Sequence, residues 1–227
     1  MVDQVIKNGL IADPEMGTIE LKNIGIQDGK IVTISEEELI GKEVWDAQGM
    51  IVSPGFIDIH SHVSGQDYAG LLSARQGITT TVGGNCGGSP VDLGKFFSEQ
   101  EENGFIINQV SFIGHSTLRR ELGSNDPLSS ASAGEIEIME AQVQEALDAG
   151  ACGISLGLAY IPGSSEEEIY RLSQIVADAG KLIAVDTRLK TPDDLDSLRE
   201  VVEISRRTGA RTQVSHFVYQ YGTGILT

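Results

Sequence analysis

Two histidines separated by one residue, His60 and His62, form the pattern in this chain best suited to chemistry. They follow Phe56-Ile57, an apolar run after Pro54-Gly55 that predicts a buried strand. Side chains alternate faces along a strand, so both imidazoles should lie on one face, about 7 Å apart, with Asp58 one step deeper. This arrangement suits a divalent metal. Taken alone, the pair is equally well explained by partly exposed histidines at a strand end.

Further polar candidates follow later predicted strands. Cys86 comes after the second strand and His115 ends the third. Asp186 and Arg188 end the fifth, and His216 ends the sixth. Reactive groups of α/β proteins gather at the carboxyl ends of strands. An open sheet concentrates its chemistry at one switch point, so candidates on so many strands favour a barrel, whose strand ends converge on one axis.

The elements that would position these residues alternate between strand and helix. Capping predicts a helix from Ser165 and Glu168 to about Gly180, and another from Thr191–Asp194 to Gly209. Repeated strand–helix units predict a parallel sheet. Six strands are predicted: Phe56–His62, Ile78–Gly83, Val110–Gly114, Gly153–Leu158, Leu182–Val185 and Thr212–His216.

The first 52 residues have a different pattern. Short β-type runs, among them Val5-Ile6 and Leu10-Ile11, are separated by turn signals. Asp28-Gly29 between two apolar runs predicts a hairpin with a type I′ turn. We therefore predict a small β-rich domain over residues 1–52 and a partial barrel over residues 53–227.

Composition excludes several classes of protein. The chain has 227 residues, 40% of them hydrophobic, which is ordinary for a globular protein. A net charge of −17 argues against binding to nucleic acid. No apolar run reaches the length of a membrane span and no secretory signal is visible, so no membrane association is expected. The two cysteines, Cys86 and Cys152, cannot build a disulfide framework, so a cytoplasmic location is expected. Cys152 is read as a small buried residue at a strand start.

Several segments in order resemble one enzyme family. Residues Asp46–His62 resemble the entry to the barrel of the amidohydrolase superfamily. The following segments are similar to the N-acyl-D-amino-acid deacylases, or D-aminoacylases: Gly84–Gly87, Ile113–Arg119, Gly153–Gly163 and Gln213–His216. The resemblance extends over nearly the whole chain.

The resemblance implies a zinc-dependent hydrolase acting on the amide bond of small N-acyl-D-amino acids, on a (β/α)8 TIM-type barrel flanked by a small β-sandwich. One or two Zn²⁺ ions are implied, with these ligands carried over by position: His60, His62, Cys86 and His216. Tyr160 and Arg188 are candidates for orienting the substrate carboxylate, since a guanidinium pairs with it bidentately. His115 is a candidate for lining the pocket. Each of these three has a structural role as its alternative.

Two departures from the family pattern affect these expectations. The fifth-strand position that is usually a histidine is Asp186, which can also bind zinc. Residues 53–227 are fewer than the roughly 250 of a full barrel. The family's catalytic aspartate comes from the eighth strand and is expected beyond Thr227, so the chain alone is expected to be inactive. Either the chain is the N-terminal portion of a longer enzyme, or self-association or a partner chain completes the barrel.

Three functions are therefore open. The first is a zinc-dependent N-acyl-D-amino-acid deacylase. The second is another amidohydrolase, acting on cyclic amides or dipeptides; the fourth strand, Gly153–Tyr160, lacks the metal-bridging lysine of other branches, which argues against it. The third is a catalytically incomplete barrel fragment that needs a partner chain.

Overall fold

The computed structural model describes residues 1–188 and 195–217. The chain divides into two compact units, Met1–Gly55 and Phe56–Thr227. The observed division lies three residues after the boundary that we placed between residues 52 and 53. The helix start predicted at Thr191–Asp194 lies outside the described residues.

The N-terminal unit is a single five-stranded sheet. Its strand order is β3-β2-β1-β4, with β5 pairing with β1. Strands β1, β2 and β3 pair antiparallel, whereas β4 and β5 run parallel to β1. The β-sandwich implied by the resemblance is not seen within residues 1–55. The strands are β1 (Val2–Asp13), β2 (Thr18–Gln27), β3 (Lys30–Ser35), β4 (Gly41–Asp46) and β5 (Ile51–Val52).

The predicted hairpin is present. Asp28 and Gly29 join β2 to β3 with φ values of 50° and 72°, the two positive values that a type I′ turn requires. The separate runs Val5-Ile6 and Leu10-Ile11 were predicted incorrectly, because they belong to the one strand β1. The pairing of β1 with β2 shifts register where Asn8 has a φ of 60°, and such a bulge lets one strand continue past a break in the alternating pattern.

The second unit alternates strands and helices. Its strands are β6 (Phe56–Asp58), β7 (Ile78–Gly83), β8 (Asn108–Ser111), β9 (Ile113–Gly114), β10 (Gly153–Gly157), β11 (Leu182–Asp186) and β12 (Arg211–Val214). Its helices are α1 (Asp67–Arg75), α2 (Leu93–Asn103), α3 (His115–Glu121), α4 (Ala133–Asp148), α5 (Glu166–Asp178) and α6 (Asp196–Thr208). None of the helices in the described ranges is both long enough and apolar enough to cross a lipid bilayer.

The strand pairs among the described residues of this unit are all parallel. They form the sheets β6-β7-β8 and β9-β10-β11-β12, and within each sheet every strand pairs with its neighbour in sequence. Phe112 separates β8 from β9 within one predicted strand, and its N–H donates to Gly83 O at 3.0 Å. In a (β/α) barrel each strand pairs with the next strand along the chain. In a doubly wound sheet the strand order reverses at one point.

The hydrophobic core of the second unit lies between helices α4 and α5 and strands β9–β11. Met139 and Val143 of α4 and Leu172 of α5 are fully buried, as are Ile154 and Leu156 of β10. Strand β10 is buried along its whole length, as is usual for strands of a parallel sheet that is covered on both faces.

The capping box of α4 supports a stability prediction. Glu135 N–H donates to Ser132 Oγ at 3.3 Å, and Ser132 N–H donates to Glu135 Oε2 at 2.8 Å. Replacing Ser132 with alanine should lower the free energy of unfolding by about 1 kcal/mol, measured by urea denaturation. Ser98→Ala, on the exposed face of α2, is the control and should not destabilise, because alanine is the better helix former. Equal stability of the two variants would contradict the capping role.

Candidate metal centre

His60 and His62 lie beyond the strand that was predicted to carry them. Strand β6 ends at Asp58, whose Oδ1 accepts a hydrogen bond from His60 N–H at 3.2 Å, a local turn that ends the strand. Ser61 N–H donates to Val82 O at 3.0 Å and keeps the segment against β7. The two imidazole centroids are 5.3 Å apart. The histidines therefore converge through a turn, and Asp58 bonds the backbone of His60, not an imidazole ring.

Cys86 is the centre of the candidate site. It lies three residues after β7, and its Sγ is 3.4 Å from His60 Nε2. The same sulfur is 3.8 Å from His62 Nε2 and 3.8 Å from His216 Nε2. One thiol therefore faces three imidazoles from two distant parts of the sequence.

Asp186 and His216 complete the cluster. Asp186 is the last residue of β11 and is 2% exposed, and His216 follows β12. His216 Nε2 is 4.0 Å from Asp186 Oδ2. Two groups of ligand atoms result, each with all atoms within 4.8 Å of one another: His60, His62 and Cys86, and Cys86, Asp186 and His216. All five predicted metal ligands are thus brought together, and Cys86 belongs to both groups.

The donor set fits zinc. Thiolate, imidazole and carboxylate are the three ligand types that Zn²⁺ takes in proteins. Burial raises the pKa of the Cys86 thiol to about 12, and the carboxylate of Asp186 adds to this by hydrogen bonding and charge. Burial and the neighbouring His216 and His62 lower the pKa of His60, which keeps its imidazole neutral and available as a ligand. A bound dication would offset the repulsion between the Cys86 thiolate and Asp186.

Two of these candidate ligands have an unusual backbone. Cys86 has a φ of 56° and His216 a φ of 55°. Residues other than glycine held in this region cost about 1–3 kcal/mol each and concentrate at functional sites. The surrounding structure must therefore hold both residues in place.

Close backbone packing supplies part of that support. A methyl group on Gly157 would come within 2.4 Å of Cys86 O, and one on Gly114 within 2.4 Å of Gly87 O. Strands β9 and β10 therefore lie directly against the loop that carries Cys86, where only glycine leaves enough room.

Gly157→Ala should move this loop. Because the new methyl group would overlap Cys86 O, we expect zinc affinity to fall at least 10-fold, the lower end of the loss seen when the support of a metal ligand is disturbed. Competition with a chromophoric chelator measures the affinity. Gly88→Ala is the matched control, since a methyl group there would meet nothing closer than Asn85 O at 3.9 Å. Equal affinities of the two variants would contradict the packing argument.

Tyr160 is the substrate-binding candidate that lies near this cluster. Its side chain is 61% exposed, and the negative charges of Asp186 and Cys86 raise the pKa of its phenol. The ring is also close to Gly157: a methyl group added to that glycine would lie 3.2 Å from Tyr160 Cδ2. A protonated hydroxyl near the candidate metal-binding residues can donate a hydrogen bond to an oxygen of a bound small molecule.

His115 and Arg188 are placed differently from the prediction. His115 is 0% exposed and its Nε2 lies 2.7 Å from Glu168 Oε1, so its contacts are inside the protein. Arg188 Nε donates to both carboxylate oxygens of Glu200 at 2.9 Å, and its other nitrogens donate to Pro162 O and Ser164 O. A guanidinium with these partners has little capacity left for a substrate carboxylate. These contacts favour the structural role that the sequence left open as the alternative for both residues.

Cys152 matches its structural assignment in position. It lies directly before β10, outside both ligand groups, and burial raises the pKa of its thiol to about 12.

Two buried contacts were not predicted, and the first of them supports the site. Ser155 lies fully buried in β10 and bonds the backbone of the Cys86 loop. Arg119, also buried, donates to both oxygens of Glu168 at 2.8 and 3.0 Å. The contact of Ser155 could have been anticipated, because a serine at the centre of an otherwise apolar strand indicates a buried hydrogen bond. The sequence shows Glu168 as a helix cap, and nothing in it indicates that the same carboxylate also pairs with a buried arginine.

Comparison with known proteins finds similarity to amide hydrolases. A family model described as "Amidohydrolase family" matches residues 43–115. The N-acyl-D-glutamate deacylase of Alcaligenes xylosoxydans xylosoxydans is 33% identical over an alignment of 243 positions that covers 95% of this chain and 50% of the relative. The N-acyl-D-aspartate deacylase of the same organism is 30% identical and matches over 94% of this chain and 49% of the relative.

A solved structure gives the same result. N-acyl-D-glutamate deacylase from Bordetella bronchiseptica, complexed with zinc and a phosphonate mimic of the tetrahedral intermediate, has a TM-score of 0.84 and 31% identity. The match covers 93% of this chain and 50% of that one. The chain spans about half the length of the curated relatives it matches.

Proposed function

Because the chain belongs to the D-aminoacylase branch of the amidohydrolase superfamily, we propose that it provides the metal centre of a zinc-dependent hydrolase of N-acyl-D-amino acids. The observation that carries the proposal is the position of Cys86 Sγ, between 3.4 and 3.8 Å from three imidazole nitrogens. A half-buried thiol among three histidines is poorly explained as core packing, because the imidazoles of His62 and His216 are exposed.

The two ligand groups define the proposed roles. His60, His62 and Cys86 would hold one ion, and Cys86, Asp186 and His216 the other. When bound, zinc supplies a Lewis acid for the amide carbonyl and lowers the pKa of a water molecule. Asp186 brings a negative charge where the family usually has a neutral histidine.

Substrate binding is assigned to Tyr160 among the described residues. Its exposed hydroxyl is protonated at neutral pH, as that of a tyrosine ordinarily is, and the negative charge of Asp186 raises its pKa further. A donor at this position would orient the carboxylate of a small N-acyl amino acid. The two curated relatives named above act on N-acyl-D-glutamate and N-acyl-D-aspartate, so acidic side chains are the first to test.

The finer points of the architecture are also proposals. A complete (β/α)8 barrel and a β-sandwich that includes the N-terminal sheet are the arrangement that the family resemblance favours. Sequential parallel pairing from β6 to β8 and from β9 to β12 supports the barrel.

The proposed function is tested by binding, because the chain spans only half of its relatives' length. The probe is a phosphonate analogue of N-acetyl-D-glutamate, added to zinc-loaded and to metal-free chain in isothermal titration calorimetry. We expect binding to the zinc-loaded chain only, and none to a zinc-treated Cys86→Ser variant. Metal-independent binding, or none to a folded zinc-loaded chain, would contradict the proposal. Preference for a hydantoin over the phosphonate would favour a cyclic-amide hydrolase.

A further inference from the structure

The loop that carries Cys86 has a backbone that requires external support. Gly84, Cys86 and Gly87 have φ values of 75°, 56° and 77°. Within the loop, Gly88 N–H donates to Asn85 O at 3.1 Å. This one internal bond spans Cys86 but does not tie the loop to the neighbouring strands.

Ser155 ties the loop to β10 from both sides of the cysteine. Its Oγ accepts a hydrogen bond from Gly87 N–H at 2.9 Å and donates one to Gly84 O. One hydroxyl can donate one hydrogen bond and accept another, so both contacts form together. Ser155 is 0% exposed in a strand whose other members are glycine, isoleucine and leucine, and no apolar side chain could replace these bonds.

The other side of the loop is fastened independently. Ser89 Oγ accepts from Gly114 N–H at 2.9 Å, and Thr117 N–H donates to Gly87 O at 3.1 Å. These bonds fix the end of the loop that follows Cys86. The contact to Gly84 O, before Cys86, comes from Ser155.

We infer that Ser155 is a positioning residue for the metal centre, one that sets the direction of the Cys86 sulfur towards His60, His62 and His216. The inference rests on the proposed function, because it takes Cys86 as a metal ligand. Groups that orient a ligand typically account for 10- to 100-fold in metal affinity. Ser155 would act on the metal only through the backbone on either side of Cys86.

The test compares Ser155→Ala with Ser173→Ala. Ser173 is an equally buried serine whose Oγ has no hydrogen-bond partner among the described residues, so its loss removes no bond. Zinc affinity is measured by chelator competition on samples shown to be folded by circular dichroism. We expect Ser155→Ala to lose about 10- to 100-fold in zinc affinity and Ser173→Ala to match the original chain.

Two further arms keep the test decisive. Ser155→Thr retains the hydroxyl and should keep more zinc affinity than Ser155→Ala. If Ser155→Ala does not fold, the zinc affinities of Ser155→Thr and Ser155→Gly are compared instead. We expect a loss of zinc affinity in the glycine variant and none in the threonine variant. A folded Ser155→Ala chain that is less stable but binds zinc as the original does would overturn the inference. If the original chain binds no zinc, the proposed function itself fails.

Discussion

Replacing Cys86 with serine should lower the zinc affinity of the chain more than about 100-fold. Loss of a group that merely orients a ligand costs 10- to 100-fold, and removal of the ligand itself should exceed this. We expect this large loss of affinity because Cys86 Sγ belongs to both ligand groups. Elemental analysis after dialysis and chelator competition measure the number of ions and their affinity.

Variants on either side of the shared thiol provide the control. His62→Ala removes a ligand from one group and Asp186→Ala from the other, so each should leave the remaining group able to bind. Cys152→Ser, outside both groups, should change nothing. If Cys86→Ser costs no more than His62→Ala, the thiol is not shared and the two-group description is wrong.

Replacing Glu168 with glutamine should lower the free energy of unfolding by about 3–5 kcal/mol, the usual cost of breaking a buried ion pair from one side. Glu168 is 0% exposed and accepts hydrogen bonds from Arg119 Nη1 at 2.8 and 3.0 Å. The variant leaves the guanidinium buried opposite a neutral amide. Urea denaturation measures the loss. Glu167→Gln, one residue earlier and exposed, should stay within about 0.5 kcal/mol of the original chain.

The same pair predicts an acid dependence. Burial alone would raise the pKa of Glu168, but hydrogen bonds and charges from His115 and Arg119 outweigh it and hold the pKa below its usual value. A carboxylate with a lowered pKa stabilises the fold fully above its unfolded pKa of about 4.3 and loses that contribution as the pH falls through the folded value. The stability difference between the original chain and Glu168→Gln should therefore be largest at neutral pH and shrink below about pH 4. A constant difference down to pH 2 would contradict the assignment.

Local patterns predicted the elements well. The Asp28-Gly29 turn and the helix opened by Ser165 and Glu168 depend on neighbouring residues alone, and both are present. The alternation of strands and helices gave the α/β class. We did not predict that Val5-Ile6 and Leu10-Ile11 belong to one strand. The bulge between them is stabilised by the partner strand, so the sequence of the bulged strand gives little indication of it.

The residues of the candidate site were predicted and the structure brings them together, but the contacts that support them were missed. Side-chain type and position after strand ends indicate Cys86 and His216 as candidate ligands, since metals bind thiolate and imidazole groups. The roles of Ser155, Arg188 and His115 depend on which backbone or carboxylate packs against them. Such contacts join residues far apart in sequence, 68 apart between Gly87 and Ser155 and 53 between His115 and Glu168, so no local pattern reports them.

The most direct test of the account is cobalt(II) titration of the metal-free chain followed by absorption spectroscopy. A metal-bound thiolate gives an intense near-ultraviolet charge-transfer band that imidazole and carboxylate do not give. Cys86 and Cys152 are the two cysteines of the chain, so their separate replacement by serine assigns the band. The account predicts the band in the original chain and in Cys152→Ser, and its absence in Cys86→Ser. A folded chain that takes up cobalt without the band, or a band that survives in Cys86→Ser, would contradict a metal centre built on Cys86.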